Sequence, residues 1–86
     1  MADYSIIFAR SARKELEALS NPLLKRIFSR IEALAHSARP SGCKKLKGSE
    51  DLWRIRIGDY RVVYSIKDIT HIIDVIAVRH RSQAYN

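Results

Sequence analysis

The chain has 86 residues, 47% of them hydrophobic, which is enough for one small globular domain over residues 1–86 and too few for two. Its net charge is +7, and ten of the sixteen Lys and Arg residues follow residue 37, so we expect a polyanionic partner unless the charge serves solubility alone. The lone Cys43 excludes an intrachain disulfide, and no cysteine-rich metal spacing is present, so we expect no metal or cofactor. No stretch resembles a signal peptide or a membrane span, so we expect a cytoplasmic protein.

The first 37 residues predict one strand followed by two helices. Residues 4–8 (YSIIF) form a short β-rich run, too short for a helix. Ser11 is a credible N-cap for a helix over residues 12–19. A second helix is expected from Pro22 to about residue 37, with one apolar stripe. The two helices together predict an antiparallel hairpin that packs on one face of a sheet.

Residues 38–48 (ARPSGCKKLKG) form the longest irregular stretch. Lys44, Lys45 and Lys47 make it basic. They are either a solvated loop edge or the rim of a phosphate-binding, RNA-contacting surface, and the sequence leaves both interpretations open.

Residues 52–66 (LWRIRIGDYRVVYSI) predict a β-hairpin. Apolar and basic residues alternate with period 2 in its first half, and Gly58-Asp59 supplies a two-residue turn. The predicted cross-strand pairs are Trp53 with Tyr64, Arg54 with Val63, Ile55 with Val62, Arg56 with Arg61, and Ile57 with Tyr60.

This register places Arg54, Arg56 and Arg61 on one face, away from the apolar residues. Arg56 opposite Arg61 is unfavourable, since like charges directly opposed across a ladder destabilise it. The three arginines are either solvated side chains on a free face or an anion-binding site, and their number on one small face favours the anion site.

Residues 71–78 (HIIDVIAV) predict a last, interior strand covered on both faces. Asp74 interrupts it and needs a partner, for which the arginines are candidates. The order β-α-α-β-β-β therefore predicts an α+β fold, in which a helical hairpin covers one face of a small, mainly antiparallel curved sheet and the arginines occupy the other.

Several stretches match a known family. The first strand, the helical hairpin, KLKG at residues 45–48, LWRIRIGDYRVVY at 52–64 and VRHRSQAY at 78–85 together resemble the RelE/ParE superfamily of bacterial type II toxins. The resemblance covers nearly the whole chain. It implies a RelE-like fold and, for the RelE branch, a ribosome-dependent endoribonuclease that needs no metal and cuts translated mRNA in the ribosomal A site, inhibiting translation.

The resemblance also implies roles for individual residues. Arg54 and Arg56 stand where the type member of the RelE branch has lysines beside the scissile phosphate, and Arg61 matches its hairpin arginine. The remaining matches lie in the tail: Arg79 with the arginine after the last strand, His80 and Arg81 with a histidine-arginine pair of other members, and Tyr85 with the C-terminal tyrosine. A guanidinium cluster suits attack of a 2′-hydroxyl on the phosphate, because it stabilises the charge that develops there.

The general base has to be sought outside the arginines, because a guanidinium does not accept a proton at neutral pH. Tyr85 and His80 are the candidates, and Tyr85 could instead stack on a base or pack on the sheet. For His36 and His71 we favour structural roles.

Two further expectations follow from the resemblance. One is a small RelB-like antitoxin that forms a hetero-oligomeric complex with the chain, which would otherwise act on the ribosome and mRNA. The other is the alternative activity of the ParE branch, inhibition of DNA gyrase without nuclease chemistry. A simple nucleic-acid-binding module is least favoured, since no helix-turn-helix or RNA-binding aromatic motif is present.

Overall fold

The computed structural model describes residues 3–49 and 51–82. Two helices pack on one sheet of five strands, whose order across the sheet is β1-β5-β4-β3-β2. All neighbouring strands are antiparallel except β1 and β5, which are parallel. The α+β class is confirmed. The elements are β1 (Ser5–Phe8), α1 (Arg10–Glu17), α2 (Asn21–Ala33), β2 (Lys44–Lys45), β3 (Leu52–Ile57), β4 (Tyr60–Lys67) and β5 (Ile72–His80).

The core lies between the helices and one face of the sheet. Ala12 and Leu16 supply the buried side of α1, and Ile27 and Ile31 supply that of α2. Residues spaced three or four apart lie on one side of a helix, which is why these pairs meet the sheet together. The sheet contributes alternate residues of its three longest strands: Ile55, Ile57, Val62, Tyr64, Ile66, Ile73, Val75 and Val78.

The predicted hairpin forms with the predicted register. Arg56 opposes Arg61 and Trp53 opposes Tyr64, as the alternation of apolar and basic residues requires. Gly58 has a φ of 59° in the turn, a conformation that glycine adopts without steric strain. The apolar residues of the hairpin face the helices, so its arginines face the other way.

The helix ends differ from the prediction. α1 begins at Arg10 and ends at Glu17, and its N-cap is Ala9. The prediction of Ser11 as the cap is wrong, because the Ser11 hydroxyl donates instead to the carbonyl oxygen of Ile76 at 3.0 Å. α2 ends at Ala33, before the predicted end at residue 37, because the chain tightens there into hydrogen bonds that span three residues instead of four.

The stretch predicted to be irregular contains a short strand. β2 pairs with β3, with Lys44 opposite Arg54 and Lys45 opposite Trp53. Two residues with charged side chains are a weak strand signal, which explains why the sequence does not predict it.

β5 lies between β1 and β4, which confirms that the last strand is interior. The expectation that both its faces are covered is wrong, because Asp74 and Ala77 are only half-buried on the side away from the helices. Asp74 also forms no ion pair with an arginine of the described residues. Ile76 is an extra residue, a β-bulge relative to β4.

Neither helix among residues 3–49 and 51–82 is long and apolar enough to cross a membrane.

Candidate functional site: a cationic sheet face

The sheet face opposite the helices carries rows of basic residues, which we call the cationic face. Arg56, Arg61 and Arg79 are successive neighbours across β3, β4 and β5, and Lys44 stands beside Arg54 in the adjacent row. Directly opposed residues in antiparallel strands share a face. The ladder therefore places these five side chains on one side of the sheet, and neither helix covers that side.

A small hollow lies at the hairpin end of the cationic face. It has a volume of about 130 Å³ and is lined by Arg56, Gly58, Asp59, Arg61 and Arg81. The backbone N–H of Arg81 donates to the carbonyl oxygen of Asp59 at 2.7 Å, which holds the start of the C-terminal tail beside the turn. Arg81 Nε also lies 3.8 Å from Asp59 Oδ1. Three guanidiniums and one carboxylate thus surround a space that is large enough for roughly four water molecules, or one phosphate group.

Arg61 has an unpaired donor in this site. Its Nε is buried and has no hydrogen-bond partner among the described residues. A buried N–H without an acceptor costs about 1–3 kcal/mol, so native structures rarely leave one unpaired.

The guanidiniums also affect one another. Burial, followed by the charges of Arg61 and Arg56, lowers the pKa of Arg54 from its ordinary value. Removal of solvent disfavours the charged form of Arg54 most, and the two nearby positive charges disfavour it further. A bound anion would favour the charged form again, so the electrostatics of the cluster fit an anion site.

Arg79 is held by a residue that the sequence did not single out. Glu15 Oε2 accepts a hydrogen bond from Arg79 Nε at 3.0 Å, and Glu15 Oε1 accepts one from the backbone N–H of Val78 at 2.7 Å. Glu15 lies on α1, far away in sequence, so only the packing of α1 against β5 reveals this contact. Asp59 was likewise predicted only as a turn residue, although it lines the hollow.

His80 does not join the arginines. It opposes Tyr60 on the helix-facing side of the sheet, and the two rings meet edge to face with centroids 5.2 Å apart. The bulge at Ile76 causes this, because one extra residue shifts the alternation of all later side chains in β5. Arg79 thereby faces the cationic side and His80 the other. The Nδ1 atom of His80 lies 2.8 Å from the Ser82 hydroxyl.

The other predicted site residues are dispersed. Lys44 lies on the cationic face, whereas Lys45 shares the opposite face with Trp53, and Lys47 is exposed beyond β2. Tyr85 lies outside the described residues, so its predicted role stays a prediction. The structure therefore brings together Arg54, Arg56, Arg61 and Arg81, with Lys44 and Arg79 at the margins.

The chemistry that this arrangement permits is oxyanion binding. Guanidiniums donate hydrogen bonds in a rigid planar fork that matches phosphate oxygens, and they stay charged at neutral pH. Fixed donors of this kind stabilise the negative charge that develops on the phosphate oxygens during attack. No arginine can accept the proton of the attacking group.

Comparisons with known proteins show the family of the chain. Residues 6–85 match the family model for the ParE toxin of the type II toxin-antitoxin system parDE. The RelE1 protein of Methanocaldococcus jannaschii is 31% identical over 85 residues, which cover 95% of this chain and 94% of that protein.

Solved structures are similar over nearly the whole chain. In the crystal structure of the archaeal RelE-RelB complex from Pyrococcus horikoshii, the matched chain is 28% identical with a TM-score of 0.82, over 95% of this chain and 99% of that one. The isolated E. coli RelE toxin is 26% identical with a TM-score of 0.79, over 90% and 83% of the two chains. The chain therefore belongs to the RelE/ParE superfamily of toxins from type II toxin-antitoxin systems.

Proposed function

We propose that this toxin is a metal-independent endoribonuclease that cleaves translated mRNA in the ribosomal A site. The observation that carries the proposal is the hollow at the hairpin end of the cationic face, where Arg56, Arg61 and Arg81 converge and the Nε of Arg61 has no partner among the described residues. One phosphate group of an RNA strand fits the size and charge of this space.

The proposed reaction is attack of a ribose 2′-hydroxyl on the adjacent phosphate. Charge then builds on the nonbridging oxygens, where fixed guanidiniums bind more strongly than in the ground state. The ribosome orients the RNA, which leaves the toxin to supply mainly charge and position.

Proton transfer requires a group other than arginine. His80 faces the helices and is engaged with Ser82, so we expect His80→Ala to retain cleavage. Tyr85 is the remaining predicted base, and Tyr85→Phe should slow cleavage if the phenol transfers the proton. Single-turnover cleavage by the two variants separates these roles, and normal cleavage by Tyr85→Phe would refute the tyrosine base.

The test of the activity is primer extension on ribosomes programmed with a defined message. Wild-type protein should cleave inside the codon in the A site. Arg61→Ala should slow cleavage by about 100-fold or more, as loss of one oxyanion donor does in other enzymes. Arg30→Ala is the matched control, since it removes the same charge from the exposed side of α2. Intact message with folded wild-type protein would refute the proposal.

Inhibition of DNA gyrase is the second candidate function, which the match of residues 6–85 to the ParE toxin family favours. In that case the cationic face would bind a protein surface and its guanidiniums would perform no chemistry. A supercoiling assay distinguishes the two functions, because only a gyrase inhibitor should stop supercoiling while leaving mRNA intact.

A small antitoxin is the proposed protein partner. The solved relatives include complexes of RelE with RelB. This chain offers an apolar groove of about 470 Å³ between its helices and β1, lined by Phe8, Leu16, Leu24 and Phe28, with Arg13, Glu17 and Lys25 around it. An amphipathic antitoxin segment with acidic residues would fit such a groove. Phe28→Asp should then prevent co-purification with the antitoxin encoded beside this chain.

A further inference from the structure

A second cavity lies on the helix side of the hairpin turn, and we call it the α2 cleft. It has a volume of about 390 Å³. Leu23 and Arg26 of α2 line it, together with Gly58, Asp59 and Tyr60 of the hairpin and His80 at the end of β5. Gly58 and Asp59 also line the hollow on the cationic face. The turn therefore forms a wall that the two spaces share.

Arg26 packs against this turn. A Cβ atom placed on Gly58 would lie 3.5 Å from each of the two terminal nitrogens of Arg26, so the guanidinium rests on the backbone of the turn. The side chain comes from the exposed side of α2. It supplies the cleft with a positive charge and with several N–H donors in one plane.

His80 supplies a donor whose identity follows from its contact with Ser82. The backbone N–H of Ser82 donates to His80 Nδ1 at 3.1 Å, so Nδ1 is the acceptor and carries no proton. The Ser82 hydroxyl lies 2.8 Å from the same atom. The proton of the imidazole is therefore on Nε2, which makes that nitrogen a donor.

The cleft also has a flat apolar surface. The rings of Tyr60 and His80 meet edge to face and are both half-buried, so part of each ring stays accessible. Leu23, also half-buried, adds aliphatic surface from α2. The carboxylate of Asp59 provides acceptor oxygens at the same place. Ring surface, donors and an acceptor are thus combined in one cleft.

A nucleobase has the chemistry that matches this combination. Its flat faces stack on aromatic rings and on guanidinium planes, and its edge carries both acceptors and donors. Arginine in particular donates to the acceptors on base edges. An inorganic anion would leave the ring surface unused, and an aliphatic side chain would leave the donors unused.

We propose that the α2 cleft binds a base of the RNA, namely the base of the nucleotide whose phosphate occupies the hollow. This inference rests on the proposed function, which places an RNA phosphate there. Because the two spaces share the turn at Gly58 and Asp59, one nucleotide can reach both of them. Arg26 and His80 are then base-binding residues, on the side of the sheet opposite the guanidiniums that hold the phosphate.

The experiment is a set of thermal melts of the 86-residue protein at constant ionic strength. The probes are ribose 5-phosphate and the four nucleoside 5′-monophosphates, which share the sugar and the phosphate and differ in the base. At least one nucleotide should raise Tm more than ribose 5-phosphate does, because the base adds contacts that only the folded protein offers. Equal increases for all five probes would overturn the inference.

Variants then locate the base. Arg26→Ala and His80→Ala should each lose most of the extra increase that the nucleotide gives, while keeping the increase given by ribose 5-phosphate. Arg30→Ala removes the same charge one turn further along α2 and should keep both increases. Arg61→Ala should lose both, since the phosphate is no longer held. Each increase is measured from the variant's own ligand-free Tm, so a change in intrinsic stability does not enter.

Two results would contradict this assignment. An extra increase that persists in both Arg26→Ala and His80→Ala would place the base elsewhere. If Arg26→Ala lowered the increase given by ribose 5-phosphate as much as that given by the nucleotides, Arg26 would bind phosphate and not the base. Either result would overturn the inference.

Cleavage on programmed ribosomes separates this inference from the proposed function. In single-turnover reactions, Arg26→Ala should raise the half-saturating toxin concentration by about tenfold, in keeping with the loss of one charge-assisted contact. Its maximal rate should stay nearly unchanged, because the base does not react. Wild-type protein that fails to cleave but shows the extra increase, lost in Arg26→Ala, would refute the cleavage alone. Cleavage by wild-type protein with no extra increase would refute the base site alone.

Discussion

Arg56 and Arg61 lie directly opposite each other in the β3–β4 ladder, so two positive side chains leave the same face of the sheet as nearest cross-strand neighbours. Neither has an ion pair within residues 3–49 and 51–82. The folded protein therefore carries an unfavourable charge pair at the site where we place the phosphate.

Relief of that repulsion should stabilise the protein. Arg56→Thr replaces one charge by a residue that favours strands, and we expect the free energy of unfolding to rise by about 0.5 kcal/mol. Urea denaturation measures it. Lys45→Thr, a similar change on the opposite face of the sheet, is the control and should have a smaller effect. A less stable Arg56→Thr protein would show that the two guanidiniums do not repel each other appreciably.

Inorganic phosphate should stabilise the wild-type protein at constant ionic strength. A ligand that binds only the folded state raises its stability by RT ln(1 + [L]/Kd), about 2.7 kcal/mol at 100 times Kd. Replacing chloride by phosphate should therefore raise Tm in a thermal melt. The increase should largely disappear in Arg61→Ala and persist in Arg30→Ala. Equal increases in the two variants would place the bound phosphate elsewhere.

The stability of the protein should fall in acid partly through Asp68. Arg39 donates two hydrogen bonds to its carboxylate, at 2.9 and 3.3 Å, and the Tyr4 hydroxyl donates a third at 2.6 Å. Arg39 first, and then Tyr4, lower the pKa of Asp68 from its ordinary 3.8. Because the folded-state pKa is the lower one, this stabilisation is complete above about pH 4 and is lost as pH falls through the folded-state pKa.

Asp68→Asn should therefore make Tm less dependent on pH between pH 2 and 5, and Arg39→Ala should do the same. Thermal melts across that range measure the effect. Glu17→Gln is the control, since Glu17 makes no hydrogen bond or ion pair with the described residues. An unchanged acid transition in Asp68→Asn would contradict the expected linkage.

Tyr64 should matter for stability and not for cleavage. Its ring is fully buried in the core, and its hydroxyl donates to the carbonyl oxygen of Ala38 at 2.9 Å. Burial raises the pKa of this phenol above its ordinary 10.0, so it stays protonated and keeps donating. Tyr64→Phe leaves the carbonyl without that donor and should cost about 1–2 kcal/mol in urea denaturation. Cleavage per folded molecule should be unchanged, and a specific loss of rate would implicate the buried phenol in the reaction.

The hairpin could be predicted from sequence because two local signals agree. Alternation places Trp53, Ile55 and Ile57 on one face, and Gly58 fixes the turn, so only one register buries all the apolar residues. The arginine cluster followed from that register. Local pattern sufficed here since every partner lies within about a dozen residues of the turn.

The margins of the site could not be predicted in the same way. The side of the sheet on which Arg79 and His80 lie depends on the bulge at Ile76. A run of apolar residues in the sequence does not indicate which of them forms a bulge. Glu15 reaches Arg79 only because α1 packs beside β5, a contact across 64 residues of sequence. Such features arise from tertiary packing, which overrides local pattern.

The contacts of Ser11 and Glu15 with β5 also bear on solubility. A strand edge with free N–H and C=O groups can pair with a strand of another molecule and start aggregation. α1 covers the stretch of β5 that β1 leaves open, and it does so with two short side chains in place of backbone. Without these two side chains, the Ile76 carbonyl oxygen and the Val78 N–H would lose their partners, so we expect Ser11 and Glu15 to reduce the tendency of this edge to pair with another molecule.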